Sequence, residues 1–237
     1  MSTIVKKRPQ SPETPAIPPL HPGDRLTAEE FERRYDAMPG LTKAELVEGV
    51  VYMPSPVSYE DHAKPHFHTM GWMNFFEMST PGVGGADNVT LRLPLRNRPQ
   101  PDGCLFILPA SGGQVQIDAD GYIVGGPELV AEVSATSESY DLHDKLEVYE
   151  RNGVQEYVVW RVFDKAIDWF VLRDAKFQRL QPASDGCYHS EVFPGLWLDL
   201  AALIRGDMQA VFQAVQRGVA TPEHAALVAR LQGAGEK

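Results

Sequence analysis

Glu132 is the residue whose position in the sequence most needs a chemical explanation. It stands inside an apolar run bounded by Gly125-Gly126-Pro127 on one side and a Ser/Thr cluster on the other, a pattern that predicts a buried strand. A carboxylate that faces a core is costly unless it is paired, protonated or bound to a cation. Glu132 is therefore a candidate site residue, unless it lies at the end of its strand near water.

Two further acids and a lysine extend this candidate site. Asp102 opens the buried run Cys104–Leu108, Glu45 lies on an earlier strand pattern, and Lys145 lies on the helix pattern after Glu132. Two acids on neighbouring strands, near one edge of a sheet, can hold a hard divalent cation through oxygen ligands. Such an ion lowers the pKa of bound water and neutralises charge that develops on a scissile phosphate, and a nearby lysine stabilises the same charge. The set predicts phosphodiester chemistry.

Asp141 and Lys145 are four residues apart, which places them on one face of a helix. The alternative interpretation of this spacing is an exposed ion pair worth only about a few tenths of a kcal/mol. Asp141 could equally cap the start of the helix.

The histidines of His62-Ala-Lys-Pro-His66 have the i,i+4 spacing of a helical zinc pair. Pro65 interrupts the turn between them, and the flanking acid, Asp61, does not stand between the two histidines. We therefore favour a structural role or a role next to the site, and keep a zinc ligand as the alternative.

Short strands and helices in mixed order indicate an α/β protein. Thr27 and Glu30 form a capping-box pattern at the first helix. Helices are predicted over residues 27–35, 61–78, 141–151, 207–217 and 222–231, and strands over 45–53, 88–95, 104–108, 128–134, 156–162, 166–173 and 176–180. Residues 1–23 are proline-rich and predict a disordered arm, residues 24–205 form the predicted main domain, and residues 206–237 a helical extension.

The length, charge and apolar runs of the sequence limit the kinds of protein that this chain can be. The 237 residues fit one large domain, and the formal charge of −10 argues against a general nucleic-acid coat without excluding a nucleic-acid enzyme. No apolar run approaches the roughly 20 residues of a membrane helix, and the N-terminus lacks the apolar core of a signal peptide, so a cytoplasmic protein without membrane contact is expected. The densest basic stretch of the main domain, Arg92, Arg96 and Arg98, predicts either a solvated loop or a patch that steers phosphate.

Several short motifs follow one another in a definite order along the chain. They are Glu45-Leu-Val-Glu-Gly49, Met53-Pro-Ser-Pro56, His62, Pro101-Asp102, Gly126 to Ser134, Asp141 to Lys145 to Tyr149, and Gly153-Val-Gln-Glu-Tyr157. No single motif is specific, but their order and spacing together are a much stronger signal. Over about residues 25–180 this order resembles the Uma family of restriction endonucleases, in the PD-(D/E)XK nuclease superfamily.

This resemblance implies a restriction-endonuclease-like core, with a central mixed β-sheet flanked by α-helices and a C-terminal helical appendage. It implies hydrolysis of DNA phosphodiester bonds with Mg²⁺ or Mn²⁺ as cofactor. Asp102 and Glu132 would be the metal ligands, with the carbonyl of Val133 as a third, and Glu45 would be an acid contributed from upstream. A homodimer is expected by analogy, since two strands must be cut.

The sequence departs from the superfamily pattern at Ser134, which stands where a catalytic lysine is usual. The resemblance implies that Lys145 takes that place, that Asp141 orients it, and that His62 lies near the mouth of the site. Two rival functions stay open: a binding or regulatory module that keeps the fold without cutting, and a metal hydrolase of small phosphoesters.

Overall fold

The computed structural model describes residues 17–53, 56–135 and 141–234, apart from the side chain of Asp141. Its strands are β1 (Glu45–Val47), β2 (Val50–Tyr52), β3 (Val83–Asp87), β4 (Leu91–Arg92), β5 (Gly103–Ile107), β6 (Gln116–Ile117), β7 (Ile123–Val124), β8 (Leu129–Ser134), β9 (Glu156–Arg161), β10 (Ala166–Arg173), β11 (Lys176–Arg179), β12 (Tyr188–His189) and β13 (Trp197–Leu198). Its α-helices are α1 (Ala28–Asp36), α2 (Lys64–Met78), α3 (Leu146–Arg151), α4 (Leu200–Arg205), α5 (Met208–Val219) and α6 (Pro222–Ala234).

Six strands form the central sheet, in the order β11-β10-β9-β8-β5-β3. The β8–β9 pair is parallel, and the other neighbours in this sheet are antiparallel. The parallel step requires a crossover, which α3 provides between β8 and β9. The expected α/β architecture with a central mixed sheet and C-terminal helices is confirmed.

Each face of the sheet has its own covering layer. On one face, α2, α5 and α6 pack on the sheet in a cluster that includes Trp72, Trp169 and Leu231. On the other face, α3 and the small sheet β4-β7-β6 bury a second cluster around Tyr149 and Tyr157. The alternation of side chains along each strand explains why both faces are apolar.

The helix α1 and the β1–β2 hairpin form a third buried cluster beside the sheet. Thr27 caps α1, because its hydroxyl accepts a hydrogen bond from the backbone N–H of Glu30 over 3.3 Å, as the capping box predicts. Leu20, in the predicted arm, is buried in this cluster, and the Gly23 N–H donates to the Val51 carbonyl over 2.8 Å. Leu20 and the Gly23 hydrogen bond therefore attach this segment to the domain, whereas residues 1–16 lie outside the described residues.

Two strand predictions were wrong. The strand expected over residues 45–53 is a hairpin, because Glu48 and Gly49 turn the chain with φ values of 52° and 76°. In the strand expected over 88–95, only Leu91 and Arg92 pair with another strand, β7. Leu91 and Leu93 are buried in the second cluster, whereas Leu95 is 80% exposed. The edge strand of the central sheet is instead β3. It was not predicted from the sequence, because Gly84 and Gly85 have low strand propensity.

The helix predictions are largely confirmed, with one change that matters at the site. Both α2 and α3 are preceded by a π-helical turn, Tyr59–Ala63 and Asp141–Lys145 respectively. Pro65 lies in the first turn of α2, where its missing N–H is tolerated. The helix α4 was not predicted. Within the described residues, no helix is both long and apolar enough to cross a membrane.

Candidate active site

Asp102 lies where two neighbouring strands of the central sheet separate. The β5–β8 register runs from Leu105 opposite Leu129 to Gly103 opposite Ala131 and stops there. Beyond that point, Asp102 Oδ2 accepts a hydrogen bond from the Val133 N–H over 2.8 Å. The Asp102 side chain thus replaces a ladder partner, which fixes its carboxylate between the two strands.

Glu132 points to the same side of the sheet as Asp102, toward α3. Its Oε1 lies 2.7 Å from Lys145 Nζ and accepts a hydrogen bond from the Tyr149 hydroxyl over 3.1 Å. Its Oε2 lies 3.4 Å from the Asp102 backbone nitrogen. Glu132, Asp102 and Lys145 are each at most 4% exposed. Because these side chains are buried, their opposite charges attract each other in a region of low dielectric constant.

Glu45 joins the same group from β1. Its Oε1 lies 3.0 Å from Lys145 Nζ and accepts a hydrogen bond from the Gln100 N–H over 2.6 Å. One ammonium group therefore bridges two carboxylates. The interpretation of Lys145 as half of an exposed pair with Asp141 was wrong, because the lysine is buried against Glu45 and Glu132.

Three basic side chains lie on the open side of Asp102. Lys43 Nζ is 3.4 Å from Asp102 Oδ1, and His62 Nε2 is 3.4 Å from Asp102 Oδ2. His66 Nε2 lies 3.2 Å from the Asp102 carbonyl oxygen and 3.1 Å from Asp87 Oδ1. Burial alone raises the pKa of Asp102, but the hydrogen bond from His62 and the charge of Lys43 hold that pKa well below its ordinary value. Asp102 is a carboxylate at neutral pH.

Close packing brings α2 and its histidines to this edge. A Cβ added at Gly103 would lie 2.3 Å from Met70 Cε and 2.9 Å from Met70 Sδ, so a larger residue here would have to displace the flexible end of Met70. His62 lies on the π-helical turn before α2, and Lys145 on the one before α3. Single π turns are frequent at functional sites, and here each one carries a site residue.

The donor set fits a hard divalent cation. Within the described ranges, no three His, Cys, Asp or Glu side chains are grouped as ligands of one ion. Asp102 and Glu132 nevertheless lie side by side, within 3.4 Å between Glu132 Oε2 and the Asp102 nitrogen. Mg²⁺ is commonly held by one or two carboxylates with water in its remaining positions, so two acids and a backbone carbonyl suffice.

The structure brings most of the predicted site residues together. Glu45, Asp102, Glu132 and Lys145 are in one connected group, His62 contacts it, and the Val133 N–H bonds to it. The side chain of Asp141 lies outside the described residues. The zinc alternative gains no support, since the rings of His62 and His66 are stacked and their Nε2 atoms contact different atoms of the site.

Sequence reasoning missed Lys43 and left His66 without a role. Neither lies near Asp102 in the sequence, since Lys43 is 59 positions and His66 is 36 positions away. Lys43 lies two residues before Glu45, and in extended chain this spacing places both side chains on one face. That spacing is the signal that could have found it.

The basic stretch that could have steered phosphate is used within the protein. Arg92 forms ion pairs with Glu32, Asp118 and Asp120, and Arg98 pairs with Glu32. These arginines hold α1 to the β6–β7 hairpin. Arg96, the third arginine of this stretch, is exposed, and phosphate steering by the stretch stays a prediction.

Comparison with known proteins places this chain in a family. A search of the curated proteins gave no match. A solved structure described as "a putative nuclease belonging to DUF820 from Anabaena variabilis ATCC 29413" aligns with a TM-score of 0.53 and 13% sequence identity, over 76% of this chain and 99% of that one. At this identity the likeness concerns the fold alone. Residues 28–201 match the family Uma2, whose description is "Putative restriction endonuclease", and the chain belongs to that family.

Proposed function

We propose that this protein is a metal-dependent endonuclease of the PD-(D/E)XK type that hydrolyses DNA phosphodiester bonds. The observation that carries the proposal is the pair of buried acids, Asp102 and Glu132, at the point where β5 and β8 separate, with Lys145 bonded to Glu132. The family description and the nuclease of similar fold support the same class of activity.

In this proposal Asp102 and Glu132 hold Mg²⁺ or Mn²⁺, and the Val133 carbonyl is a third donor. The ion would lower the pKa of a bound water and neutralise charge on the scissile phosphate. The chain's own residues prepare the carboxylates for this task. The Val133 N–H fixes one oxygen of Asp102, while Lys145 and Tyr149 fix Oε1 of Glu132. Glu45 keeps Lys145 in place from the opposite side.

The overall charge of −10 does not exclude a polyanionic substrate, because a local patch can attract DNA although the net charge is negative. Lys43 lies on the open side of Asp102, with the imidazoles of His62 and His66 beside it. In this proposal the metal ion would supply further positive charge at the acidic pair.

The proposal is tested with purified protein, supercoiled and linear duplex DNA, and Mg²⁺, Mn²⁺ or EDTA. We expect cleavage with either ion and none with EDTA. Glu132→Gln should reduce the cleavage rate at least ~100-fold, since it removes a ligand charge and the partner of Lys145. Glu147→Gln, an exposed acid on α3, is the matched control and should cut at the wild-type rate.

Two results would overturn the proposal. One is the absence of cleavage of every DNA form together with calorimetric metal binding that is unaffected by Glu132→Gln. The other is cleavage that Glu132→Gln leaves intact. DNA binding without cleavage would instead favour the regulatory module, and hydrolysis of small phosphoesters alone would favour the other rival. A homodimer and a cytoplasmic location remain predictions that go with the proposed activity.

A further inference from the structure

Two lysines contact the acidic pair, and their surroundings differ. Lys145 is 3% exposed and lies within 3.0 Å of two buried carboxylates, those of Glu132 and Glu45. The Lys43 side chain is 25% exposed, and its Nζ donates to Asn88 Oδ1 over 2.8 Å while lying 3.4 Å from Asp102 Oδ1. One ammonium is thus enclosed by charged partners, and the other faces solvent.

The partners of Lys145 hold it firmly. Moving its ammonium away would leave two buried carboxylates without their shared counter-charge, which is strongly unfavourable. Lys145 therefore keeps Glu132 and Glu45 in fixed positions, and this is a positioning role.

The contacts of Lys43 are easier to exchange. Its distance to Asp102 is longer than the roughly 2.7–2.9 Å of a strong charge-assisted hydrogen bond, and its shorter contact is with the neutral amide of Asn88. The flexible four-carbon stem of a lysine allows its ammonium to move between neighbouring anions. Because Lys43 and a cation on Asp102 would share one carboxylate, their like charges would repel each other.

We propose that Lys43 is the substrate-facing cation of this site. It neutralises Asp102 when no metal ion is bound, and it moves to the scissile phosphate when metal and DNA are bound. The inference rests on the proposed nuclease function and assigns the phosphate contact to Lys43, with Lys145 as a positioning residue.

The test compares Lys43→Met and Lys43→Arg with the wild type in single-turnover cleavage of a linear duplex at saturating Mn²⁺. Mn²⁺ affinity is measured separately by calorimetry without DNA. We expect Lys43→Met to lower the single-turnover rate ~100-fold and Lys43→Arg to restore part of it. We also expect Lys43→Met to bind Mn²⁺ more tightly, because the competing charge is gone. Lys64→Met removes another lysine of the same region, one that contacts Glu60 and the ring of Tyr59, and should change neither quantity more than about twofold.

Each outcome decides a separate question. Cleavage by Lys43→Met at the wild-type rate would overturn the phosphate contact, and unchanged or weaker Mn²⁺ binding would overturn the competition at Asp102. If the wild type cuts no DNA, the proposed function fails and the phosphate contact fails with it. In that case the Mn²⁺ affinities of wild type and Lys43→Met still decide whether Lys43 competes with an ion for Asp102.

Discussion

The Val133 N–H donates a hydrogen bond to Asp102 Oδ2 over 2.8 Å, where Asp102 is one residue beyond the last paired position of β5 and Val133 is two beyond that of β8. A side chain thus takes the place of a main-chain acceptor where the sheet opens. The same carboxylate also neutralises Lys43 and contacts His62. Asp102 consequently has a structural role and a proposed chemical one, and these can be separated by substitution.

Asp102→Ala should destabilise the protein by roughly 1–3 kcal/mol, since the buried Val133 N–H loses its acceptor. Asp102→Asn keeps an oxygen acceptor and should cost less. Both changes should abolish cleavage, because neither leaves a carboxylate for an ion. Urea unfolding and a DNA cleavage assay measure the two effects. Equal stability of the two variants would show that the hydrogen bond contributes little.

Lys145→Met should be among the most destabilising single changes at the site, costing about 3–5 kcal/mol, because it removes the ammonium that the buried Glu132 and Glu45 share. Adding Glu132→Gln to Lys145→Met should cost less than the sum of the single changes, since the pair is removed together. Urea unfolding of the four proteins in this cycle gives the coupling free energy.

The control for that cycle is Arg151→Met. Arg151 pairs with Glu48 over 2.6 Å, but both side chains are about half exposed, so its loss should cost only ~0.2–1 kcal/mol. A Lys145→Met variant no less stable than Arg151→Met would contradict the bridging role of Lys145.

Metal ions should stabilise the folded protein through Asp102 and Glu132. A ligand that binds only the folded state contributes RT ln(1 + [L]/Kd), about 1.4 kcal/mol at ten times Kd. The Tm of the wild type should therefore rise with Mn²⁺ and return with EDTA, while that of Glu132→Gln should not respond. A similar rise in both proteins would place the binding elsewhere.

Glu156 should make stability fall as the pH rises from mildly acidic to neutral. Burial raises the pKa of its carboxyl to about 7, against an ordinary value of 4.5, although Ser190 and the Glu191 N–H donate hydrogen bonds to it. Between these pH values the unfolded chain binds fewer protons than the folded one, so stability present below 4.5 is lost as the pH rises through 7. The difference between these two pKa values corresponds to roughly 3 kcal/mol of unfolding free energy.

Glu156→Gln should flatten the pH profile of the unfolding free energy between about pH 5 and about pH 8. Glu191→Gln changes the exposed acid at the same contact without removing its N–H, and should keep the wild-type slope. Asp102 acts in the opposite direction and below this range, because its pKa is lowered and its stabilisation is lost only as the pH falls. Parallel profiles for wild type and Glu156→Gln would contradict the assignment.

The sequence predicts the parts of the site that carry local patterns. The apolar runs around Cys104 and Val130 indicate buried strands, and an acid inside such a run, Glu132, is conspicuous. The strand β3 was missed because Gly84 and Gly85 are ordered by pairing with β5, a long-range contact that strand propensity does not capture. Lys43 was missed for the same reason, since its partners Asn88 and Asp102 are brought to it only by the fold.

Two of the helices that pack on the Trp169 face of the sheet come at the end of the described sequence. Val215 and Leu231, on the last two helices, belong to the same buried cluster as Trp72 and Trp169. At a synthesis rate of about 5–20 residues per second, the roughly 60 residues between Trp169 and Leu231 take about 3–12 s to translate. During that interval the part of this face that α5 and α6 cover lacks its packing partners, so folding of the sheet is complete only after the last helix has been made.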